Sequence, residues 1–244
     1  VGIGAGGSPT IVGSDGTSGD WKVKDTVITG SHLYAVDASQ TSGAWKIKNV
    51  TISNSDRGVK AVGSEGNWEI DGSTLSVGGT YGIESRQSTG DWVVRNTTVD
   101  ASTMAIDAFE STGNWLIIRS TLEDGLEAKG SDGDWAVQNS TIEGEINSQK
   151  TDGNWKIQSS ILQDRVEAQD ATGRWSINNS AFIDVVPPKV SAYRAASFGG
   201  VGGDATNNWW GSDGAECDYD VDCSEPLSAP PAFVDGTQPQ ASII

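Results

Sequence analysis

Four residues of this sequence could carry out chemistry together if the chain folds into stacked strands. Acidic residues recur at one place of a repeated pattern, directly after an apolar residue, at Asp37, Glu84, Asp107, Glu127 and Glu167. On adjacent layers Asp107 and Glu127 would lie about 5 Å apart, as the paired carboxylates of glycosidases do. Arg86, in the same strand as Glu84, is the candidate base. The candidate catalytic residues are therefore Asp107, Glu127, Glu84 and Arg86, and the alternative is a solvated acidic stripe.

A second acidic group lies between the only two cysteines. Asp218, Asp220 and Asp222 alternate between Cys217 and Cys223, and such dense carboxylate oxygens suit calcium. The alternative is a charged loop that stays hydrated. The cysteine spacing fits a local disulfide and not a four-ligand zinc site, which indicates an oxidising, extracellular location; two free thiols are the alternative. Beyond calcium, the sequence predicts no cofactor.

Charge and hydropathy exclude several classes of partner. The chain has 244 residues and a net charge of −17 at pH 7, which predicts a surface that repels nucleic acids and anionic lipids. Such an acid excess keeps a protein hydrated in concentrated salt and favours a halophilic source; an ordinary acidic secreted protein is the alternative. No apolar run is long enough for membrane insertion. The start at Val1, without a leader, indicates a processed secreted protein or a trimmed chain.

Regularly spaced tryptophans define the element that must position these residues. They recur at intervals of 20 to 24 residues, at Trp21, Trp45, Trp68, Trp92, Trp115, Trp135, Trp155 and Trp175. A glycine stands two residues before each tryptophan, and apolar residues stand two and seven residues after it. A further apolar residue lies nine residues before the next tryptophan. A period of this length is typical of solenoids.

The repeat predicts an all-β fold, a single-stranded right-handed parallel β-helix of roughly nine to ten coils, each of 20 to 24 residues. We expect two strands per coil and indoles that stack inward as a core ladder, about 4.8 Å apart; an exposed platform for sugars is the alternative. The glycines indicate a turn that needs positive φ or a close backbone approach. Three segments follow: a partial coil and assembly segment at 1–20, regular coils at 21–184, and a terminal coil, disulfide loop and proline-rich tail at 185–244.

Several asparagines recur within the repeat. Asn49, Asn96, Asn139 and Asn178 each begin a glycosylation acceptor triplet, which is consistent with a surface protein. The repeat itself creates such triplets, so a structural interpretation stands beside modification. Asn49, Asn96, Asn139 and Asn179 lie four residues after a tryptophan, where stacked amides would bond to the turn backbone.

The segment Asp204-Ala-Thr-Asn-Asn-Trp-Trp-Gly211 follows the coils and resembles the closing segment of many right-handed parallel β-helix proteins of the pectate-lyase-like superfamily. The resemblance covers most of the chain and extends to secreted and surface β-helix proteins of halophilic archaea. It implies a fold and says little about activity. Polygalacturonase-like members carry paired aspartates with Gly-His-Gly and Arg-Ile-Lys segments, which this sequence lacks. Pectate lyases use a calcium-binding carboxylate cluster and an arginine base beside a groove.

Taken together, these patterns predict a non-enzymatic extracellular structural protein, a rod that stacks end to end as a homo-oligomer into a filament or surface layer. β-Helix enzymes build their clefts from long loops, and these coils have few residues to spare. The glycine-rich start is a weak cap, and the proline-rich segment Pro226 to Ile244 would reach a neighbouring copy. The alternatives are a carbohydrate-active enzyme, either a polysaccharide lyase or a hydrolase, a sugar-binding module with a polysaccharide partner, and a viral spike or adhesin.

Overall fold

The computed structural model describes residues 2–4, 11–12, 17–183, 189–191, 203–210, 217 and 221–231. Over these residues the chain is an all-β parallel solenoid without a helix, so the predicted fold class is confirmed. The regular part, from Trp21 to Trp175, makes about seven turns rather than the predicted nine to ten. Beyond these two tryptophans the described residues form only parts of further layers.

Each regular layer gives one strand to a first column, and each of these strands begins at a tryptophan. The strands are β3 (Trp21–Thr29), β5 (Trp45–Ser55), β7 (Trp68–Asp71), β10 (Trp92–Arg95), β13 (Trp115–Ile118), β16 (Trp135–Gln138), β19 (Trp155–Gln158) and β22 (Trp175–Asn178). They pair in parallel, with every tryptophan in register with the next one. The repeat period therefore equals one turn of the solenoid.

A second column begins six residues after each tryptophan. Its separate strands are β8 (Thr74–Val77), β11 (Thr98–Asp100), β14 (Thr121–Leu122), β17 (Thr141–Ile142), β20 (Ile161–Leu162) and β23 (Ala181–Phe182). The long strands β3 and β5 run through both columns and join them into one sheet. The apolar residue seven positions after each tryptophan points inward from this column and is buried.

The third column forms a separate nine-stranded sheet. Its strands are β2 (Ile11–Val12), β4 (Tyr34–Asp37), β6 (Arg57–Lys60), β9 (Tyr81–Glu84), β12 (Met104–Asp107), β15 (Gly125–Glu127), β18 (Ile146–Asn147), β21 (Val166–Glu167) and β24 (Val190–Ser191). From Trp68 onward each regular layer thus has three strands around the core, whereas the layers of Trp21 and Trp45 have two. The expectation of two strands per coil holds for these first two layers and is wrong for the later ones, because there the bend between the first and second columns interrupts the strand.

In each layer the bend lies at one residue with positive φ, four positions after the tryptophan. These residues have φ between 49° and 61° and are Asp25, Asn49, Gly72, Asn96, Arg119, Asn139, Ser159 and Asn179. Asparagine tolerates this conformation better than most residues, which explains its recurrence here. The amides of Asn49 and Asn96 donate to the carboxylates of Asp25 and Asp71, at 2.9 and 3.0 Å. These two amides therefore bind side chains of a preceding layer and not the turn backbone.

The indoles of the first column form one continuous stack inside the solenoid. Neighbouring ring centroids are 4.7 to 5.1 Å apart, and the ring planes differ by 2° to 5°. Carbon atoms make their best contacts at about 3.5–4.0 Å, so parallel rings at this centroid distance must be offset, as aromatic rings prefer. From Trp45 to Trp175 the tryptophans are at most 5% exposed, whereas Trp21 is half-buried.

The glycines before the tryptophans form a second column of identical residues. A Cβ atom on Gly113 would lie 2.2 Å from the carbonyl oxygen of Gly90, and each glycine from Gly43 to Gly173 makes the same approach to the layer before it. None of these glycines has positive φ. Close backbone approach, and not the turn conformation, is therefore what requires glycine here.

The described residues include parts of further layers at both ends of the solenoid. β1 (Gly2–Gly4) pairs with the end of β3, and β2 pairs with β4, so both precede the first full layer. β25 (Gly203–Asp204) pairs with β22, and β26 (Val221–Asp222) pairs with β25. Asn207 and Glu225, four residues after Gly203 and Val221, have φ of 57° and 58°. These two strands thus repeat the geometry of the first column without its tryptophan.

The substitution Gly113→Ala tests the glycine column. The added methyl group must push two backbones apart, so we expect a loss of about 1–3 kcal/mol in the free energy of unfolding, measured by urea or thermal denaturation. Gly19→Ala is the matched control, because a Cβ atom there meets nothing within 4 Å. Equal stability of the two variants would contradict the close approach.

Candidate functional site

The predicted catalytic residues lie together on the outer face of the third column. Glu84 is in register with Asp107, and Asp107 with Glu127. Arg86 follows β9 and reaches the same surface, where its Nε donates to Asp107 Oδ2 at 2.5 Å. The structure therefore brings all four candidates into one cluster.

Neighbouring side chains hold the guanidinium of Arg86 in place and keep it protonated. Its second contact is a 2.7 Å hydrogen bond to Tyr81 Oη, its Nε lies 3.8 Å from Glu84 Oε1, and its guanidinium covers the Tyr81 ring at 5.1 Å. Burial lowers the pKa of Arg86, but the hydrogen bond and charge of Asp107 outweigh it, so the net shift is upward. A guanidinium held in this way stays protonated, and the role of a base does not fit it.

Two of the carboxylates are buried, which corrects the alternative of a solvated stripe for this part of the column. Asp107 is 1% exposed and Glu84 is 8% exposed. Asp107 Oδ1 also accepts from the backbone N of Phe109 at 3.1 Å, and Tyr34 Oη donates to Glu84 Oε2. The physical reason is that long aromatic and arginine side chains from neighbouring layers lie over these carboxylates.

Tyr34 is one of the side chains that cover the carboxylates of the cluster. Arg57 donates to Tyr34 Oη at 2.8 Å, and its guanidinium lies over both the Tyr34 and Tyr81 rings, at 5.2 and 5.7 Å. Burial, together with the hydrogen bond to the Glu84 carboxylate, raises the pKa of Tyr34 to about 12. The phenol therefore remains a hydrogen-bond donor across the whole physiological range.

Glu127 differs from the other members because no described lysine or arginine forms an ion pair with it. Its carboxylate accepts from the backbone N of Lys129 and from Asn147 Nδ2, both at 3.2 Å. Burial, and next to it the negative charge of Asp107, raise the pKa of Glu127 above its ordinary value. Glu127 thus holds a proton more readily than an ordinary glutamate side chain does.

Two shallow grooves meet at Glu127. One has a volume of roughly 270 Å³ and is lined by Tyr81, Arg86, Phe109 and Lys129. The other, of roughly 360 Å³, is lined by Asp124, Glu145, Asn147 and Asp164. Both include Thr103, Met104 and Glu127. Together they form one surface that runs along the solenoid axis.

Among the described residues, five carboxyl groups line this surface, with two aromatic rings and one guanidinium beside them. Asp107 lines the first groove, but its carboxylate is almost fully buried and bonds to Arg86 and to the backbone N of Phe109. Glycoside hydrolysis requires two carboxyl groups that reach the same bond, and Glu127 shares the second groove with Asp124, Glu145 and Asp164. The aromatic rings, the guanidinium and the protonatable Glu127 are nevertheless groups that can contact a polar ligand.

The two cysteines and Asp222, one of the three predicted calcium ligands, lie at the end of the solenoid. Cys217 and Cys223 form a disulfide with a Cα–Cα distance of 6.5 Å. Asp222 is exposed, and its Oδ1 accepts from the backbone N of Ser224 at 3.0 Å. Asp218 and Asp220 lie outside the described residues, and the described part contains no group of three or more potential metal ligands. Calcium here stays a prediction.

The remaining predicted positions are distributed along the shaft. Asn49 and Asn96 are exposed, whereas Asn139 and Asn178 are half-buried, and Asn178 Nδ2 donates to the Thr206 carbonyl at 3.2 Å. Their glycosylation stays a prediction. The buried indoles from Trp45 to Trp175 leave no ring face for a sugar.

Sequence reasoning missed the side chains that cover the carboxylates. Tyr34, Arg57 and Tyr81 occupy one repeat position, two residues before the buried apolar residue of the third column. An alternation of tyrosine and arginine at one such position is a readable signal, because stacked layers bring these residues face to face. Phe109 carries no comparable signal.

No protein-family model matches this chain, and no curated protein or solved structure matches it significantly. Over the described residues no helix has the length and apolar character needed to cross a membrane.

The raised pKa of Glu127 is open to direct measurement. We expect its carboxyl group to titrate above 4.5, measured by ¹³C NMR with Glu127→Gln to assign the signal. The substitution Asp107→Asn should shift that pKa downward, because it removes a nearby negative charge. A pKa at or below 4.5 would contradict the described burial.

The free energy of unfolding should change with pH as the carboxyl group of Glu127 titrates. A carboxyl group whose pKa is raised by folding stabilises the fold below its unfolded pKa, and this contribution is lost as the pH rises through the folded pKa. Glu127→Gln should therefore be neutral near pH 4 and stabilise by about 0.5 kcal/mol or less near pH 7.

Proposed function

We propose that the chain is a non-enzymatic extracellular structural protein whose solenoid stacks end to end with further copies into a filament or surface layer. The observation that carries this proposal is a pair of open strand edges at the two ends of the first column. Within the described residues, 21–24 of β3 have no strand before them and β26 has no strand after it.

Open edges of this kind favour association. A terminal strand presents unpaired N–H and C=O groups and the cut end of the core, and both are satisfied when another strand is added. Contact between unlike ends of identical copies propagates without closing when the copies are related by translation along one axis. The result is a rod that grows at both ends.

The shape of the shaft supports a structural role over catalysis. Its described outer grooves are shallow. The two carboxylates predicted for catalysis differ in their surroundings, because Asp107 is bonded to Arg86 and to the backbone, whereas Glu127 has no ion pair among the described residues. Enzymes and ligand sites favour deeper concave pockets.

The surroundings of the protein can be inferred from its disulfide and charge. The bond between Cys217 and Cys223 fits an oxidising, extracellular compartment. The net charge of −17 suits hydration in concentrated salt, so we place the filament on the surface of a halophilic cell, with archaea as the candidate source.

End-to-end stacking predicts elongated species in purified material at high salt. Sedimentation velocity should show a distribution that grows with protein concentration and reverses on dilution, and electron micrographs should show fibres one solenoid wide. Strictly monodisperse monomers at every concentration would contradict the proposal.

A sugar-binding function is the second candidate, because the surface around Glu127 combines aromatic rings, a fixed guanidinium and a carboxyl group. Stacking of apolar ring faces and hydrogen bonds from charged groups are what polysaccharide recognition requires.

A polysaccharide panel with and without calcium separates the two candidates. If the surface binds sugar, Glu127→Gln should weaken binding by about tenfold, which corresponds to the loss of one charged hydrogen bond. Asp107→Asn should weaken binding as well, because it removes the charge that holds Arg86 in place. Lys156→Glu, exposed on the first column, is the control. Absence of binding in the unmodified chain removes this candidate.

A further inference from the structure

We propose that the indole stack conducts positive charge along the solenoid axis. An indole that loses one electron carries a hole, and the stack passes this hole from ring to ring over several layers. The partners that fit such an activity are redox-active metal complexes that exchange a single electron. The activity goes beyond the proposed structural role and does not depend on assembly, because one copy contains all eight stacked rings.

The geometry of the stack favours transfer between neighbouring rings. From Trp45 to Trp175 the ring centroids are 4.7 or 4.8 Å apart, and the ring planes differ by 2° to 5°. The π faces of neighbouring indoles are therefore in contact. Electron transfer slows steeply as the gap between two groups widens, so contact between faces gives the fastest exchange that two side chains can have.

The indole N–H groups keep the hole mobile. An oxidised indole is a strong acid, and it becomes a fixed neutral radical once its N–H proton leaves. The N–H group can only donate, and among the described residues the buried Nε1 atoms of the stack have no acceptor, apart from Trp45, which donates to Ser64 Oγ at 3.3 Å. A serine hydroxyl is a weak base. The charge therefore stays on the rings and moves by electron exchange alone.

Successive rings offer the hole nearly the same surroundings. The interior rings that share an exposure of 1–3% and an indole on each face are Trp68, Trp92, Trp115, Trp135 and Trp155. None of these rings is thus a much deeper trap than its neighbours. A positive charge in an apolar core costs free energy, and the net charge of −17 offsets part of that cost.

The electrons balance without a further reactant. A one-electron oxidant, such as a ruthenium(III) polypyridyl complex, takes one electron from the nearest indole and becomes ruthenium(II). Each following step moves one electron from a neutral indole to the adjacent radical cation. A reductant beside a distant ring then gives one electron to that ring, so the stack returns to its neutral state and no proton moves within it.

Few other side chains compete for the hole. The sequence has one methionine and four tyrosines, and its two cysteines are joined in a disulfide. The described tyrosines, Tyr34 and Tyr81, belong to the separate sheet of the third column and not to the sheet of the indoles. The stack is therefore the main store for a hole that enters it.

A sensitiser and a trap at opposite ends of the stack test this path. Lys156→Cys places a thiol for a ruthenium sensitiser on the outer face beside Trp155, and Lys22→Tyr places a phenol beside Trp21. Both positions are exposed, so the phenol traps the hole by releasing its proton to water. After a laser flash with a dissolved electron acceptor, we expect an added tyrosyl radical in transient absorption, which the labelled chain without Lys22→Tyr does not give. Six ring contacts separate the sensitiser from the trap.

Interrupting the stack gives the matched comparison. Trp92→Phe combined with Trp115→Phe inserts two rings that are far harder to oxidise, so the added tyrosyl signal should be lost. Trp210→Phe removes an indole that is also buried but stacks on Phe182, outside the column, and should leave the signal unchanged. Circular dichroism shows whether each variant is folded.

A second position for the sensitiser tests the path without disturbing the stack. Val93→Cys, used in place of Lys156→Cys, lies three ring contacts from Trp21. Transfer from ring to ring gives a tyrosyl signal from both labels, whereas transfer in one step gives it from the nearer label alone. No added signal from the label at position 156, or a signal that survives in the interrupted but folded stack, would overturn the proposal and leave end-to-end assembly untouched.

Discussion

The structure depends on the in-register stacking of one indole on the next. Ring centroids 4.7 to 5.1 Å apart match the spacing of paired strands, so hydrogen bonding and ring contact impose one layer height. Hydrogen bonds of the rings contribute little: among the stacked indoles, Trp45 donates to Ser64 Oγ at 3.3 Å, while the buried nitrogens of the others have no described partner. Burial and dispersion hold the stack, and a slip of one residue would turn every ring to the outside.

The same layer height determines what the outer surface can do. Side chains at identical positions of successive layers lie close together. Like charges there must therefore form ion pairs with neighbouring side chains or be covered by them. Arg86 binds Asp107 in this way, and Tyr34 and Arg57 cover Glu84. In these contacts the polar groups of the third column stabilise the fold. Glu127 differs from them because no described lysine or arginine forms an ion pair with it. The ends of the shaft differ, because among the described residues Lys22 and Asp222 each have a strand neighbour on one side only.

Much of this architecture was predictable, because each turn of a solenoid repeats the same residue pattern in the sequence. The tryptophan and glycine intervals give the layer, and the acidic residues fall in the predicted register. The third strand per layer was missed, since the bend between the first two columns uses residues as different as Asn96, Arg119 and Ser159. The burial of Asp107 was also missed, because it depends on rotamers of Arg86 and Tyr81 that spacing does not determine.

End-to-end stacking of the solenoid is the central claim, and helical reconstruction of the filament by electron cryo-microscopy tests it most directly. The regular part has eight tryptophan layers, so each copy should add an axial rise of at least about 34 Å, seven intervals at roughly 4.8 Å. The strand spacing should run along the filament axis. Filaments whose strand spacing runs in another direction, or particles that never elongate, would contradict the account.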